Sequence, residues 1–115
     1  MKYFLTEAER KKVYSSCFYE FQKGDWAEEK RIFWKEDSIC IDDDNMYELE
    51  LDSLIHSVVP EYAPFGETRI NRLQWGEIVL KAAEIGGELL IAVNEADLWA
   101  REVFQEYDVF TILGL

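Results

Sequence analysis

Apolar positions along this chain recur with two different periods, and the period in each stretch assigns its element. Thr6 followed by Glu9 is a capping-box pair, in which the hydroxyl accepts from the third helical amide and the carboxylate reaches back to the capping amide. Val13, Tyr14, Cys17, Phe18 and Phe21 then recur at helical spacing as far as Gly24, which predicts a first helix over about 7–23 with an aromatic core face. Beyond it the period becomes two. Ile32 and Trp34 share one strand face, Ile39 and Ile41 another, and Tyr47, Leu49 and Leu51 alternate with Glu48 and Glu50. The pattern predicts a three-stranded antiparallel meander with turns near Glu36-Asp37 and Asp43-Asp44-Asn45. Residues 45–58 are open to two readings, since Tyr47, Leu51, Leu54, Ile55 and Val58 also fit a single helix. The preferred reading is a strand, then a short helix capped at Asp52 or Ser53 and ended by Pro60.

The stretch PEYAPFGET, residues 60–68, holds two Pro and one Gly and reads as a loop long enough to take part in binding. Asn71 with Gln74 opens a further helix, whose apolar stripe is Leu73, Trp75, Ile78, Val79, Ala82 and Ile85 and whose stop is Gly86-Gly87. ELLIAV then reads as a buried strand, NEADLWAREVFQEY as a helix capped by Asn94, and DVFTILGL as a last strand. A crossover of that length joins parallel neighbours with right-handed sense. The expectation is an α+β (mixed α/β) fold, one domain over residues 1–115, with an antiparallel meander, a C-terminal β-α-β unit and helices packed on the sheet.

Composition adds bounds. A chain of 115 residues with 49% hydrophobic content and 15% aromatic content can bury roughly two-thirds of its unfolded surface around one core. The opening MKYFLTEAERKK offers only Tyr3, Phe4 and Leu5 as an apolar run, too short for a signal-peptide core, and no stretch approaches a membrane span, so a soluble cytoplasmic protein is expected. Cys17 and Cys40 stand far apart and outside any CxxC pattern, and both are expected to be buried thiols.

Charge changes the picture most. The net value is -12, from 24 acidic and 12 basic residues. Residues 1–35 carry 8 basic and 6 acidic side chains, whereas residues 36–115 carry 4 basic and 18 acidic ones. Between Lys35 and Arg69 there is no Lys or Arg, yet ten carboxylates occur. Such a field repels nucleic acid and anionic membrane and steers basic proteins inward, so neither nucleic acid nor membrane is expected as a partner.

The densest part of that field is CIDDDNMYELELDS, residues 40–53. An EF-hand loop needs a third oxygen ligand at position five, glycine at six and glutamate at twelve, but counting from Asp42 those positions hold Met46, Tyr47 and Ser53. Paired carboxylates for glycoside hydrolysis exist in any acidic chain and need a cleft as well. The single histidine, His56, lies near Ser53 and Ser57 without a nucleophile elbow, and EIGGEL precedes a strand rather than opening a helix as a phosphate loop does. No catalytic residue, no metal and no cofactor is expected.

A compact, strongly acidic domain rich in Trp and Tyr, with the run Asp42, Asp43, Asp44, Glu48, Glu50 and Asp52 and a helix-strand-helix-strand end from Asn71 to Leu113, resembles the immunity proteins of bacterial polymorphic or contact-dependent toxin systems. The resemblance implies a non-enzymatic inhibitor that binds a basic, often nuclease-like, toxin domain with one-to-one stoichiometry. The six carboxylates would face the toxin's cationic cleft, with Tyr47 and Tyr62 as aromatic anchors. A reading from another class is a non-catalytic adaptor or regulatory module, homo-oligomeric in one form, that uses an apolar patch around Trp99 and Phe104. A third is a small carboxylate hydrolase. Oligomeric state is left open by the sequence.

Overall fold

The computed structural model describes residues 1–13, 17–28 and 30–115. In chain order the elements are β1 (Leu5–Thr6), α1 (Glu7–Arg10), β2 (Phe18–Lys23), β3 (Ile39–Asp42), α2 (Asp43–Glu48), α3 (Leu51–Val58), β4 (Glu67–Asn71), α4 (Arg72–Ile85), α5 (Gly87–Glu106) and β5 (Val109–Leu113). The strands form one sheet in the order β1-β3-β2-β5-β4, and every neighbouring pair is antiparallel. The α+β class stands, as does a single compact domain with helices on a sheet.

Several elements differ from expectation, each for a definable reason. The Thr6–Glu9 capping box forms, but the helix it opens ends at Arg10. Of the expected 7–23 stripe, Phe18 and Phe21 belong to strand β2, Val13 and Cys17 are exposed, and Tyr14 lies outside the described residues. Five of the six β2 residues are buried, because the strand is covered on both faces, and a strand buried on both sides loses its alternation. Ile32 and Trp34 lie on no strand, since the described residues 24–28 and 30–38 are irregular. Ile39 and Ile41 do lie on a strand, and the turn at Glu36-Asp37 is present. Asp43–Asn45 is the first turn of a helix, and Tyr47, Leu49 and Leu51 are not a strand. The helical alternative for residues 45–58 is closer, although Glu50 at φ 59° breaks it into two helices that meet at a corner.

ELLIAV and the following residues are one helix of 20 residues, α5, with Asn94 exposed in its interior rather than at its cap. Leu89, Ala92, Val93, Ala96, Ala100 and Val103 face the core at three- and four-residue spacing, and that period outweighs the local apolar run. Without a strand before it, the expected β-α-β crossover is absent, and β5 pairs antiparallel with β2 and β4 instead. The Asn71–Gln74 capping box and the Gly86 stop form as expected. Gly86 and Gly87, at φ 73° and 64°, reverse the chain between α4 and α5 in a conformation that side-chain-bearing residues rarely adopt.

Cross-strand register divides the sheet residues into two sets. Tyr19, Phe21, Ile39, Ile41, Ile70, Phe110 and Ile112 share the face that packs under the helices. The opposite face carries Glu20, Gln22, Cys40 and Thr111, all buried and mostly polar. Residues 24–28 and 30–38 cover it, and its polar groups hold that cover in place. The Glu20 carboxylate accepts from the Trp34 amide (2.7 Å), the Lys35 amide (2.9 Å) and the Ser38 hydroxyl (2.7 Å). Gln22 donates to the Ile32 carbonyl, and the Thr111 hydroxyl donates to Gly24 and accepts from the Trp26 amide. Arg10 forms two 2.7 Å bonds to the buried Glu7 and lies 3.9 Å over the Trp34 ring, which clamps one end of the cover.

Cys40 lies beneath this cover. Burial, reinforced by the negative charges of Glu20 and Glu7, pushes its thiol up to about 12. Cys17 is exposed, contrary to the expectation of two buried thiols. Native protein should therefore take up one equivalent of a thiol reagent at neutral pH, at Cys17, and the second only on unfolding. Rapid uptake of two equivalents by the native state would contradict the burial of Cys40.

Candidate partner-binding surface

The acidic run folds into the α2–α3 corner. Asp42 is the N-cap of α2: its carboxylate accepts from the Asn45 amide at 2.7 Å and from the Asn45 side chain at 3.2 Å. Asp43 and Asp44 follow in the first turn, where the unpaired amides of a helix start favour negative charge. Local structure thus accounts for the choice of Asp at these three positions without any partner. Downstream, Tyr47, Glu48 and Glu50 are exposed, Tyr47 at 74%. Glu50 caps α3 in a left-handed conformation and makes no side-chain cap bond. Asp52 is half-buried and accepts from the Ser53 amide at 2.8 Å.

These residues form a continuous segment, and among the described residues none of the six carboxylates makes an ion pair. Elsewhere Glu7, Asp25, Asp37, Glu88 and Asp97 each pair with a Lys or Arg, while other carboxylates such as Glu61, Glu67, Glu84 and Glu106 share the corner's lack of ion pairs among the described residues. The corner therefore keeps its charge uncompensated, with an exposed phenol among the carboxylates.

Tyr62 does not join Tyr47 as an exposed anchor. It is only 9% exposed and belongs to the core cluster. Its hydroxyl is buried with no hydrogen-bond partner of acceptable geometry among the described residues. Burial is the main cause that raises its ionisation above the usual phenol range, followed by the neighbouring Tyr19 and the charges of Asp52 and Asp43. The Tyr19 phenol is raised as well, by burial and then by Asp43. Tyr62 lines a shallow cleft of about 200 Å³ with Asp52, Ser53, His56 and Pro64, so it supports the corner from behind.

The apolar patch expected around Trp99 and Phe104 is not a surface. Phe104 is 8% exposed, and Trp99 packs against Phe21 and Phe110 while its indole donates to the Asp37 carbonyl at 2.8 Å. The exposed apolar side chains of α4 and α5 are instead Leu73, Leu80, Ile85, Ile91 and Leu98. Leu73 and Ile85, expected in the core stripe of α4, both face outward. Spacing could have flagged this second stripe, since Leu73, Gly76 and Leu80 are three and four residues apart on one helix.

His56 is exposed on α3, as are Ser53 and Ser57. Among the described residues no group of three or more His, Cys, Asp or Glu side chains is arranged to hold a metal ion. Among the described residues no helix is long and apolar enough to cross a membrane. Compared with known proteins, the chain matches no family model, no curated protein sequence and no solved structure at a significant level.

Proposed function

We propose that this protein is a non-catalytic, stoichiometric inhibitor that binds a basic protein, and that its role is that of an immunity protein against a nuclease-like toxin domain. The observation that carries this reading is the α2–α3 corner, where Asp43, Asp44, Glu48 and Glu50 lack ion pairs around the 74%-exposed Tyr47. An uncompensated field accelerates encounter with a cationic surface, because the attraction extends over about 10 Å at moderate salt. An exposed tyrosine adds a large, stiff contact that loses little conformational entropy when buried, which is why such residues dominate interface energetics. Carboxylates at this corner would occupy the positions where a nuclease's Arg and Lys otherwise grip phosphate.

The test begins with capture of the partner from lysate of the source cell, followed by association kinetics on the purified pair at several salt concentrations. Asp43→Asn combined with Asp44→Asn should slow association several-fold and flatten its dependence on salt, with little change in dissociation. Tyr47→Ala should act on dissociation instead, and speed it by about tenfold or more. A captured partner that is neutral, or association rates that ignore both salt and the Asp substitutions, would sink the proposal.

A further inference from the structure

The cleft beside α3 holds a polar group that the rest of the chain does not satisfy. Asp52, Ser53 and His56 are spaced one and four along α3, so one helix face makes one wall, and Tyr62 and Pro64 from the loop that follows make the other. Tyr62 alone among these residues is buried, at 9% exposure. Its hydroxyl is closed off from solvent and has no hydrogen-bond partner of acceptable geometry among the described residues. The negative charge of Asp52, itself part of the wall, bears on that hydroxyl, as does the charge of Asp43. The phenol oxygen therefore sits at the acidic end of the cleft. Tyr19, also buried, feels the same two carboxylates.

A buried hydroxyl without a partner weakens a fold about tenfold in equilibrium constant. Phenylalanine would fill the same space without that penalty, so packing gives no reason for the oxygen. A ligand that brings N–H donors would.

Charge and size select the ligand. No Lys or Arg lines the cleft, and none occurs in the sequence between Lys35 and Arg69. The charged groups at its acidic end are Asp43 and Asp52, with Glu48 and Glu50 in the same corner and Glu61 in the loop, and only His56 could add a positive charge. Such a field repels an anion. A metal ion fits no better, because no group of three His, Cys, Asp or Glu among the described residues could hold one. The volume of about 200 Å³ equals roughly seven waters, too small for a drug-sized ligand but enough for one charged head with part of its stem.

A guanidinium or alkylammonium head meets each condition. It is positive and carries several N–H donors and no acceptor. Among the described residues the Asp52 carboxylate accepts only from the Ser53 amide, at 2.8 Å, so it has lone pairs left for such donors. The Tyr62 oxygen is a second acceptor, and the face of its ring favours a cation. We propose that the cleft between α3 and Tyr62 receives one guanidinium or alkylammonium head, offered by an Arg or Lys side chain of a basic polypeptide. Asp52 is its charge partner and the Tyr62 hydroxyl its neutral acceptor. The source of the side chain rests on reading the acidic corner as a surface for a basic protein, whereas the preference for a cationic head rests on the cleft alone.

The experiment is an NMR titration of the full chain at constant ionic strength. Ethylguanidinium and butylammonium serve as free heads, and capped Gly-Arg-Gly and Gly-Lys-Gly peptides carry the same heads on a backbone. The expected result is saturable shifts at the amides of Ser53, His56 and Tyr62, half-complete at about 10 mM or below, an affinity within reach of so small a ligand. The peptides should bind at least as tightly as the free heads. Tyr62→Phe should weaken binding about tenfold while leaving the unfolding midpoint unchanged or higher, since it removes a hydroxyl that the fold does not pair. Asp52→Asn keeps the shape and the acceptor for the Ser53 amide but loses the charge, and should weaken binding at least as much. A purely structural tyrosine would instead lower the midpoint and leave binding alone. Shifts that never saturate, or binding that Tyr62→Phe leaves as tight, would overturn the proposal. Binding of the free heads without the peptides would assign the cleft to a small free amine and overturn the side-chain source. No partner protein enters these titrations, so their failure leaves capture by the acidic corner standing, and a failed capture leaves them standing.

Discussion

Replacement of Phe110 by alanine is expected to remove about 4 kcal/mol from the unfolding free energy. The ring is fully buried and sits among four others, with centroid distances of 5.6 Å to Phe21, 5.3 Å to Trp99, 5.4 Å to Trp75 and 5.8 Å to Phe104. Phe21 belongs to β2, Trp75 to α4, and Trp99 and Phe104 to α5, so this one ring joins the helical layer to the middle of the sheet. Its neighbours are large and rigid, and they cannot close the space it would leave. Domains of ordinary stability have about 5–15 kcal/mol in hand, so the variant should be marginal. Urea titration measures the loss. A loss below about 1.5 kcal/mol would mean that the surrounding rings collapse inward and that their packing is looser than described.

Glu20→Ala should cost about 3 kcal/mol by a different route. One carboxylate accepts three hydrogen bonds, two of them from main-chain amides of the half-buried cover. Its removal leaves those donors unsatisfied and releases the segment whose Trp34 is held at φ 61°. The accompanying sign is local: amides of residues 34–38 should gain hydrogen exchange, and Cys40 should become reactive to thiol reagents before the protein unfolds. Glu20→Gln keeps one acceptor oxygen but points a donor at the other partners, so it should fall between wild type and Glu20→Ala. Equal exchange in the wild type and Glu20→Ala would show that the cover does not depend on this carboxylate.

The two capping boxes were the legible helix signals, whereas the single-residue stops and caps read at Gly24, at Asp52 or Ser53 and at Asn94 do not bound helices. Thr6–Glu9 and Asn71–Gln74 are local devices whose energy comes from neighbouring residues, and both form. Element type depended on tertiary cover and was less legible. Phe18 to Lys23 looks helical because residues on both of its faces are buried, and the second face is buried by a segment with no regular pattern of its own. The ELLIAV run looks like a strand until its position against the sheet decides which of its residues are covered. Of the expected site, the carboxylates and Tyr47 were legible as an exposed acidic group, since charge density needs no fold to be seen. Tyr62 was not, because nothing in PEYAPFGET tells whether its aromatic residues point in or out. The structure turns Tyr62 inward and leaves Phe65 81% exposed.

Strand β5 follows every other element in the sequence, yet it lies between β2 and β4 rather than at an edge. A chain emerging from the ribosome thus makes the hydrophobic helices first and the strand that unites them last. Until residues 109–113 are out, β2 has an open edge, β4 has no neighbour, and the rings gathered around Phe110 have nothing to close on. Pairings this far apart in sequence form slowly. Closure of the sheet therefore waits on β5, the acidic corner rests on a finished sheet only once that strand has docked, and any truncation inside β5 removes the fold as a whole rather than trimming its end.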